Sequence, residues 1–180
     1  MSEVTRVATL DRNQAGPWTG AKAALFFAIL AGVLALDIGT KVAVQNNFVH
    51  YQQVDIIGEY VRLTYIYNPG AAFGIEIGPY SRQIFLVLSI VALTALFGMY
   101  WFTPPTDRVR LSAIALICGG AIGNLIDRIR SAQGVVDFID VGVGAVRWPV
   151  FNVADMAVTI GAIILALSLW KEEQRVEGAP

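Results

Sequence analysis

The sequence predicts a membrane protein, mainly α-helical, with four transmembrane helices and a small extracytoplasmic β-sheet. Three observations carry that expectation. Of the 180 residues 56% are hydrophobic and 15% are charged, with a mean hydropathy of +0.59, whereas an average soluble domain is roughly 25% charged. The apolar residues gather in four runs, about 21–44, 83–102, 109–129 and 153–170, each close to the roughly 20 residues that cross a hydrocarbon core about 30 Å thick. Between them lie two extracytoplasmic segments, about 45–82 and 130–152, with strand-like patterning.

The first run is read as a retained anchor rather than a secretory signal, because three more spans follow and no small-residue cleavage pattern interrupts Val42 to Asn47. An even number of spans puts both termini on one side. Arg6, Arg12 and Lys22 precede the first span, Arg108 and Arg110 join the second and third, and Lys171 and Arg175 follow the fourth, so the positive-inside rule puts the termini in the cytoplasm. Trp18, Trp101 and Trp170 fall at the same helix ends, where amphipathic rings favour the headgroup layer. In the first outer segment Val61, Leu63, Tyr65 and Tyr67 alternate with Arg62, Thr64 and Ile66, the period of a strand, which Asn68-Pro69-Gly70 ends. In the second, Val135 to Ile139 reads as a strand running into a turn at Gly142 and Gly144. The tails 1–20 and 171–180 are polar and are expected to be mobile and cytoplasmic.

Composition also excludes functions. A net charge of −1 with scattered Lys and Arg argues against nucleic acid. One cysteine, Cys118, excludes an internal disulfide, and one histidine, His50, leaves no Cys/His zinc cluster. Neither His-Glu-x-x-His nor Gly-x-Ser-x-Gly occurs. No metal or cofactor is expected; Cys118 reads as packing and His50 as a surface residue.

The chemistry lies in ionisable groups at membrane depth, which are costly and therefore have partners or a task. Asp37 and Lys41, four apart on the first helix, form an internal ion pair or shape a site. Asn124 and Asp127 share a face of the third helix beside Arg128, as a polar clasp between helices or as part of a site, and Gly119, Gly120 and Gly123 permit close helix approach. Asp137 stands in an apolar strand with no basic residue adjacent, so it either points to water or is desolvated and able to keep a proton. Asp155 follows Asn152 by three, the spacing of a helix cap. Asp137 and Asp155 can meet at one depth, because the third helix ends, and the fourth begins, on the side where the strand lies. An ionised Asp that takes a proton from water beside a protonated Asp that donates to a carbonyl is sufficient for amide hydrolysis.

Asp37-x-x-Thr40-Lys41, Asn68-x-Gly70-Ala71-Ala72-Phe73, Gly123-Asn124-x-x-Asp127-Arg128, Val135-Val136-Asp137-Phe138 and Phe151-Asn152-x-Ala154-Asp155 together resemble the bacterial lipoprotein signal peptidases, or signal peptidase II. The five motifs occur in the family's order and cover nearly all of the chain except its tails. Pro69 and Thr40 stand where related members often differ. The resemblance implies an inner-membrane aspartic endopeptidase that removes the signal peptide of prolipoproteins by cutting before a diacylglyceryl-modified cysteine. It implies Asp137 and Asp155 as the catalytic dyad. Asn68, Asn124, Arg128 and Asn152 are then polar residues around the substrate, with Asp37, Lys41, Gly70, Asp127 and Ala154 in support. Lipidated substrates and membrane lipids are the expected partners; the sequence leaves the oligomeric state open. The competing reading is a proton-coupled transporter or lipid-binding membrane protein using the same buried Asp residues, and four spans without inverted halves argue against the usual transporter plan.

Overall fold

A computed structural model describes residues 20–70 and 78–177 of the chain. Its four long helices are α1 (Gly20–Asn47), α2 (Ser81–Phe102), α3 (Arg108–Arg130) and α4 (Val153–Glu177), each long and apolar enough to cross a membrane. Large apolar side chains such as Val87, Val91, Ile160, Ile163 and Leu167 stand exposed on their outer faces, a surface that water disfavours and lipid solvates.

The middle of the bundle is α3, which packs on all three other helices. Toward one end its Leu111, Ile114, Ala115 and Cys118 bury against Phe26 of α1 and Leu96 and Tyr100 of α2. At the same end Lys22 Nζ donates to the carbonyl of Thr103 at 2.7 Å, a cation satisfying the C-terminus of α2. Asp107 caps α3 by accepting from the Arg110 N–H at 3.0 Å. Toward the other end the glycines bring α1 and α4 very close to α3: a methyl on Gly120 would land on the backbone of Ala154 and on Val158, and one on Gly123 would meet the Asp37 carboxylate.

The segments that join α1 to α2 and α3 to α4 form one antiparallel sheet, ordered β1 (Gln53–Ile57), β2 (Val61–Asn68), β3 (Val135–Val143), β4 (Val146–Arg147). Pairing of Asn68 with Val135 and of Ile66 with Asp137 sets the end of β2 beside the start of β3. Val44 from the end of α1 packs with Tyr65, Val136 and Phe138, which seats the sheet on the bundle. An isolated bridge between Ile139 and Phe151 leads the chain into α4.

Four strands stand where the alternation predicts two. The missed β1 is a mostly exposed edge strand and β4 has two residues, so neither has a buried face to impose a pattern. Gly142 lies within β3, and the turn falls at Gly144, φ +55°. The alternation along β2 also fails at Thr64, which is buried beside Tyr65. The register shifts between Leu63 and Ile66, and the Thr64 hydroxyl donates to buried Asp140 at 2.8 Å. Asp140 also holds Arg147 Nε at 2.6 Å, pinning the short hairpin.

The helices outrun the apolar runs because the composition that fits lipid is narrower than the composition that fits a helix. In particular α4 continues through Lys171-Glu172-Glu173-Gln174, strong helix formers, to Glu177, so this part of the expected mobile tail is helical. Residues 1–19, with Trp18, and 178–180 lie outside the described residues; Trp101 and Trp170 are exposed. His50 is half-buried rather than free on the surface, stacked on Tyr51 at 3.9 Å between ring centroids.

The close approach at Gly120 makes a stability prediction. Gly120→Ala forces α3 and α4 apart and is expected to destabilise the protein by about 1–3 kcal/mol, the usual cost of overpacking. Gly98→Ala meets no atom within 4 Å and is expected to be neutral or stabilising by up to ~1 kcal/mol from helix propensity. Thermal unfolding of both variants in detergent measures the contrast.

Candidate active site

The residues singled out by the sequence converge where the C-terminal ends of α1 and α3 meet the start of β3 and the first turn of α4. That turn is organised by Asn152. Its Oδ1 accepts from the Asp155 N–H at 2.9 Å, while Asp155 Oδ2 accepts from the Asn152 N–H at 3.1 Å. This reciprocal pairing is a capping box, so the capping expectation for this spacing holds. The cap leaves the Asn152 amide free to turn outward from its own helix. Fully buried, it donates through Nδ2 to Asp137 Oδ1 at 2.7 Å. One asparagine therefore binds both carboxylates.

Asp137 is 1% exposed. Its other oxygen, Oδ2, accepts from Asn68 Nδ2 at 2.9 Å, a contact the β2–β3 register makes possible. Gly134, φ +103°, permits that register, because any side chain there would collide with the backbone of Asn68 and Pro69. Burial, followed by the negative charge of Asp155, pushes the Asp137 carboxyl up to about 7, against the two asparagine hydrogen bonds and the Lys41 charge, which pull it down. Asp155 is half-buried, and its Oδ1 accepts from Asn124 Nδ2 at 2.8 Å.

Behind the two carboxyls lies a buried charge cluster centred on Lys41. Its ammonium meets Asp37 Oδ2 at 2.8 Å and Asp127 Oδ2 at 2.8 Å, and donates to Asn124 Oδ1 at 3.0 Å. The expected Asp37–Lys41 pair thus exists and does more than settle a helix. Asp37 Oδ1 accepts from the Ala154 N–H at 3.0 Å, so α1 caps α4, and Asp127 Oδ2 accepts from the Val136 N–H at 3.3 Å, so α3 holds β3.

Arg128 does not pair with Asp127. Adjacent residues on a helix point about 100° apart, and Arg128 turns to the carbonyls of Gly70 at 2.9 Å and Asn124 at 3.2 Å. It thereby fixes the Asn68-Pro69-Gly70 corner, whose Gly70 N–H donates to Asn68 Oδ1 at 2.9 Å. Ala71-Ala72-Phe73, the rest of that motif, lies outside the described residues.

Sequence reasoning missed three contributors. Arg82 donates to the Arg128 carbonyl at 2.7 Å, Val136 offers its backbone N–H to Asp127 and its carbonyl to Asn152, and Gly134 contributes its lack of a side chain. Backbone roles leave no chemical signature; the Gln133-Gly134 pair just before an apolar strand is the one available signal. Beside Asp155 opens an apolar groove of about 610 Å³, lined among others by Trp148, Phe151, Met156, Ile160 and Ile163.

Comparison with known proteins places the chain in a family. A family model described as signal peptidase (SPase) II matches residues 29–171. Proteins named lipoprotein signal peptidase are similar over most of the chain. The one from Moorella thermoacetica is 40% identical over 76% of this chain and 87% of its own. The one from Burkholderia mallei is 38% identical over 95% of this chain and 98% of its own. Among solved structures, a bacterial membrane enzyme determined by the in meso method at 2.3 Å resolution superposes with a TM-score of 0.76 at 30% identity, covering 86% of this chain and 93% of that one. With described residues of the five motifs meeting at one place, a fold shared with a membrane enzyme and a family model matching residues 29–171, this chain belongs to the signal peptidase II family.

Proposed function

We propose that this multi-pass membrane peptidase removes the signal peptides of prolipoproteins with Asp137 and Asp155 as its two catalytic carboxyls, at the outer face of the bacterial inner membrane. The observation that carries the reading is the double role of Asn152, which binds one carboxyl through its amide and the other through its backbone N–H. Two carboxyls held on one residue hold one proton between them at neutral pH. We assign it to Asp137, the more buried of the two, whose carboxyl lies at about 7. Asp155 accepts from Asn124 and Asn152 at the N-terminus of α4, an environment suited to an anion.

In the proposed reaction, Asp155 takes a proton from water as the oxygen attacks the scissile carbonyl, and Asp137 gives its proton to the carbonyl oxygen. The resulting tetrahedral diol collapses when Asp155 passes its proton to the leaving nitrogen, the C–N bond breaks, and Asp137 recovers a proton from the diol. The bond cut is the one before the diacylglyceryl-modified cysteine. The apolar groove beside Asp155 gives the apolar part of the substrate a path from the bilayer. Asn68 and Arg128 hold the rim of the site, while Asp37, Lys41 and Asp127 hold its floor. The transporter reading has no observation in its favour.

Both termini are cytoplasmic in this reading. In a Cys118→Ala background, a cysteine at exposed Gln53 is expected to react with an impermeant thiol reagent in spheroplasts while one at exposed Thr106 does not; the reverse pattern inverts the topology.

Asp137→Asn and Asp155→Asn are each expected to lower turnover of a lipidated prolipoprotein by on the order of a hundredfold or more, since each removes the acid or the base, while thermal unfolding in detergent changes little. Asp127→Asn, which weakens the Lys41 cluster, is expected to reduce protein yield or substrate affinity more than turnover. A fully active Asp137→Asn enzyme rules out the dyad.

The pH dependence has a definite sign. A carboxyl at about 7 carries its proton below that value and loses it above, so kcat is expected to fall as pH rises past about 7. It falls again in acid, when the base of the pair is protonated as well, and the two limits belong to the pair. A kcat profile flat from neutral to alkaline pH contradicts the assignment.

A further inference from the structure

A second cleft lies between the outer halves of α1 and α3, under the start of β3, with a volume of about 460 Å³. It is separate from the groove at Asp155, sharing none of its lining residues. Its walls are graded along the bundle axis. Ile38, Val42 and Ile126 line it on the membrane side, and Gln45, Tyr67 and Arg130 line it toward the sheet. From Ile38 to Gln45 the helix rises about 10 Å at 1.5 Å per residue, the distance over which a bilayer passes from acyl chain to headgroup.

The charges facing the cleft are Lys41, Asp127 and Arg130. Lys41 is used up by Asp37, Asp127 and Asn124, and Asp127 by Lys41 and the Val136 N–H. Arg130 is exposed and makes no ion pair among the described residues. The cleft therefore presents one guanidinium without an ion pair among the described residues, together with the Gln45 amide, which donates to the Tyr67 hydroxyl at 3.3 Å, above an apolar floor.

We propose that this cleft binds an anionic glycerophospholipid, with its phosphate diester on Arg130 and an acyl chain along Ile38, Val42 and Ile126. A guanidinium matches a phosphate in geometry and charge. A diacylglyceryl thioether carries no phosphate, so the chemistry of the rim selects a bilayer lipid over the substrate's own lipid. The bound lipid covers the outer side of the Lys41–Asp127 pair and excludes water from it, which strengthens the contacts that position Asn124 and β3. The inference does not depend on which residues cut the peptide.

The test is native mass spectrometry of the full chain in detergent, titrated with phosphatidylglycerol and with phosphatidylcholine of the same acyl chains. Phosphatidylglycerol is expected to bind at least tenfold more tightly and to raise the unfolding temperature. Arg130→Gln is expected to weaken phosphatidylglycerol binding about tenfold, the loss of one charge-assisted contact, and to weaken phosphatidylcholine, whose phosphate is already offset by its own choline cation, by less. Val42→Trp, which fills the floor, is expected to reduce binding of both. Unfolding of each variant without lipid confirms that it is folded, and turnover of a lipidated prolipoprotein by Arg130→Gln in detergent without added phospholipid separates lipid binding from catalysis. Equal affinity for the two lipids, or full phosphatidylglycerol binding by both folded variants, overturns the proposal.

Discussion

Everything at the sheet-bearing end of this protein depends on one buried ammonium group. Lys41 is 3% exposed and has three N–H bonds, and the structure supplies three acceptors, Asp37, Asp127 and Asn124. Each acceptor then reaches a different element: Asp37 the first turn of α4, Asp127 the first residues of β3, and Asn124 both Asn152 and Asp155. An uncompensated charge in such a place costs several kcal/mol, so the cation is tolerable only when all three partners are in position. The helix ends and the strand are thereby assembled as one unit.

Asn152 ties that assembly to the two carboxyls of the proposed dyad, and its amide is the reason. An aspartate at 152 would cap α4 equally well through its oxygen. It would have no side-chain N–H to donate to Asp137 and would crowd a third carboxyl against the two already there. The asparagine gives its oxygen to the helix and its nitrogen to Asp137 at 2.7 Å, so the strand carboxyl is fixed by the same residue that fixes Asp155.

The helices were legible from hydropathy because lipid imposes a composition over a length, and β2 and β3 were legible because each carries several buried side chains. Strand β1 was not, since an exposed edge strand has little to alternate. The site was legible where a charge sits at a depth that composition does not allow, as for Asp37, Lys41 and Asp137. What stayed hidden were pairings between elements. Nothing in the adjacency of Asp127 and Arg128 says that one turns to Lys41 and the other to Gly70. The contributions of Gly134 and Val136 are made by backbone, which every residue has.

The unequal burial of the two carboxyls follows from where the sheet sits. Asp137 enters from a strand covered by Asn68 on one side and Asn152 on the other, so it is shielded from water and burial pushes its carboxyl up to about 7. Asp155 enters from a helix terminus that borders an open apolar groove, so one edge of it stays reachable. Burying both equally would leave two protonated acids and no base, whereas exposing both would leave two anions and no acid. A carboxyl from a covered strand and a carboxyl from the open end of a helix, joined by one asparagine, give the pair its difference from backbone topology alone.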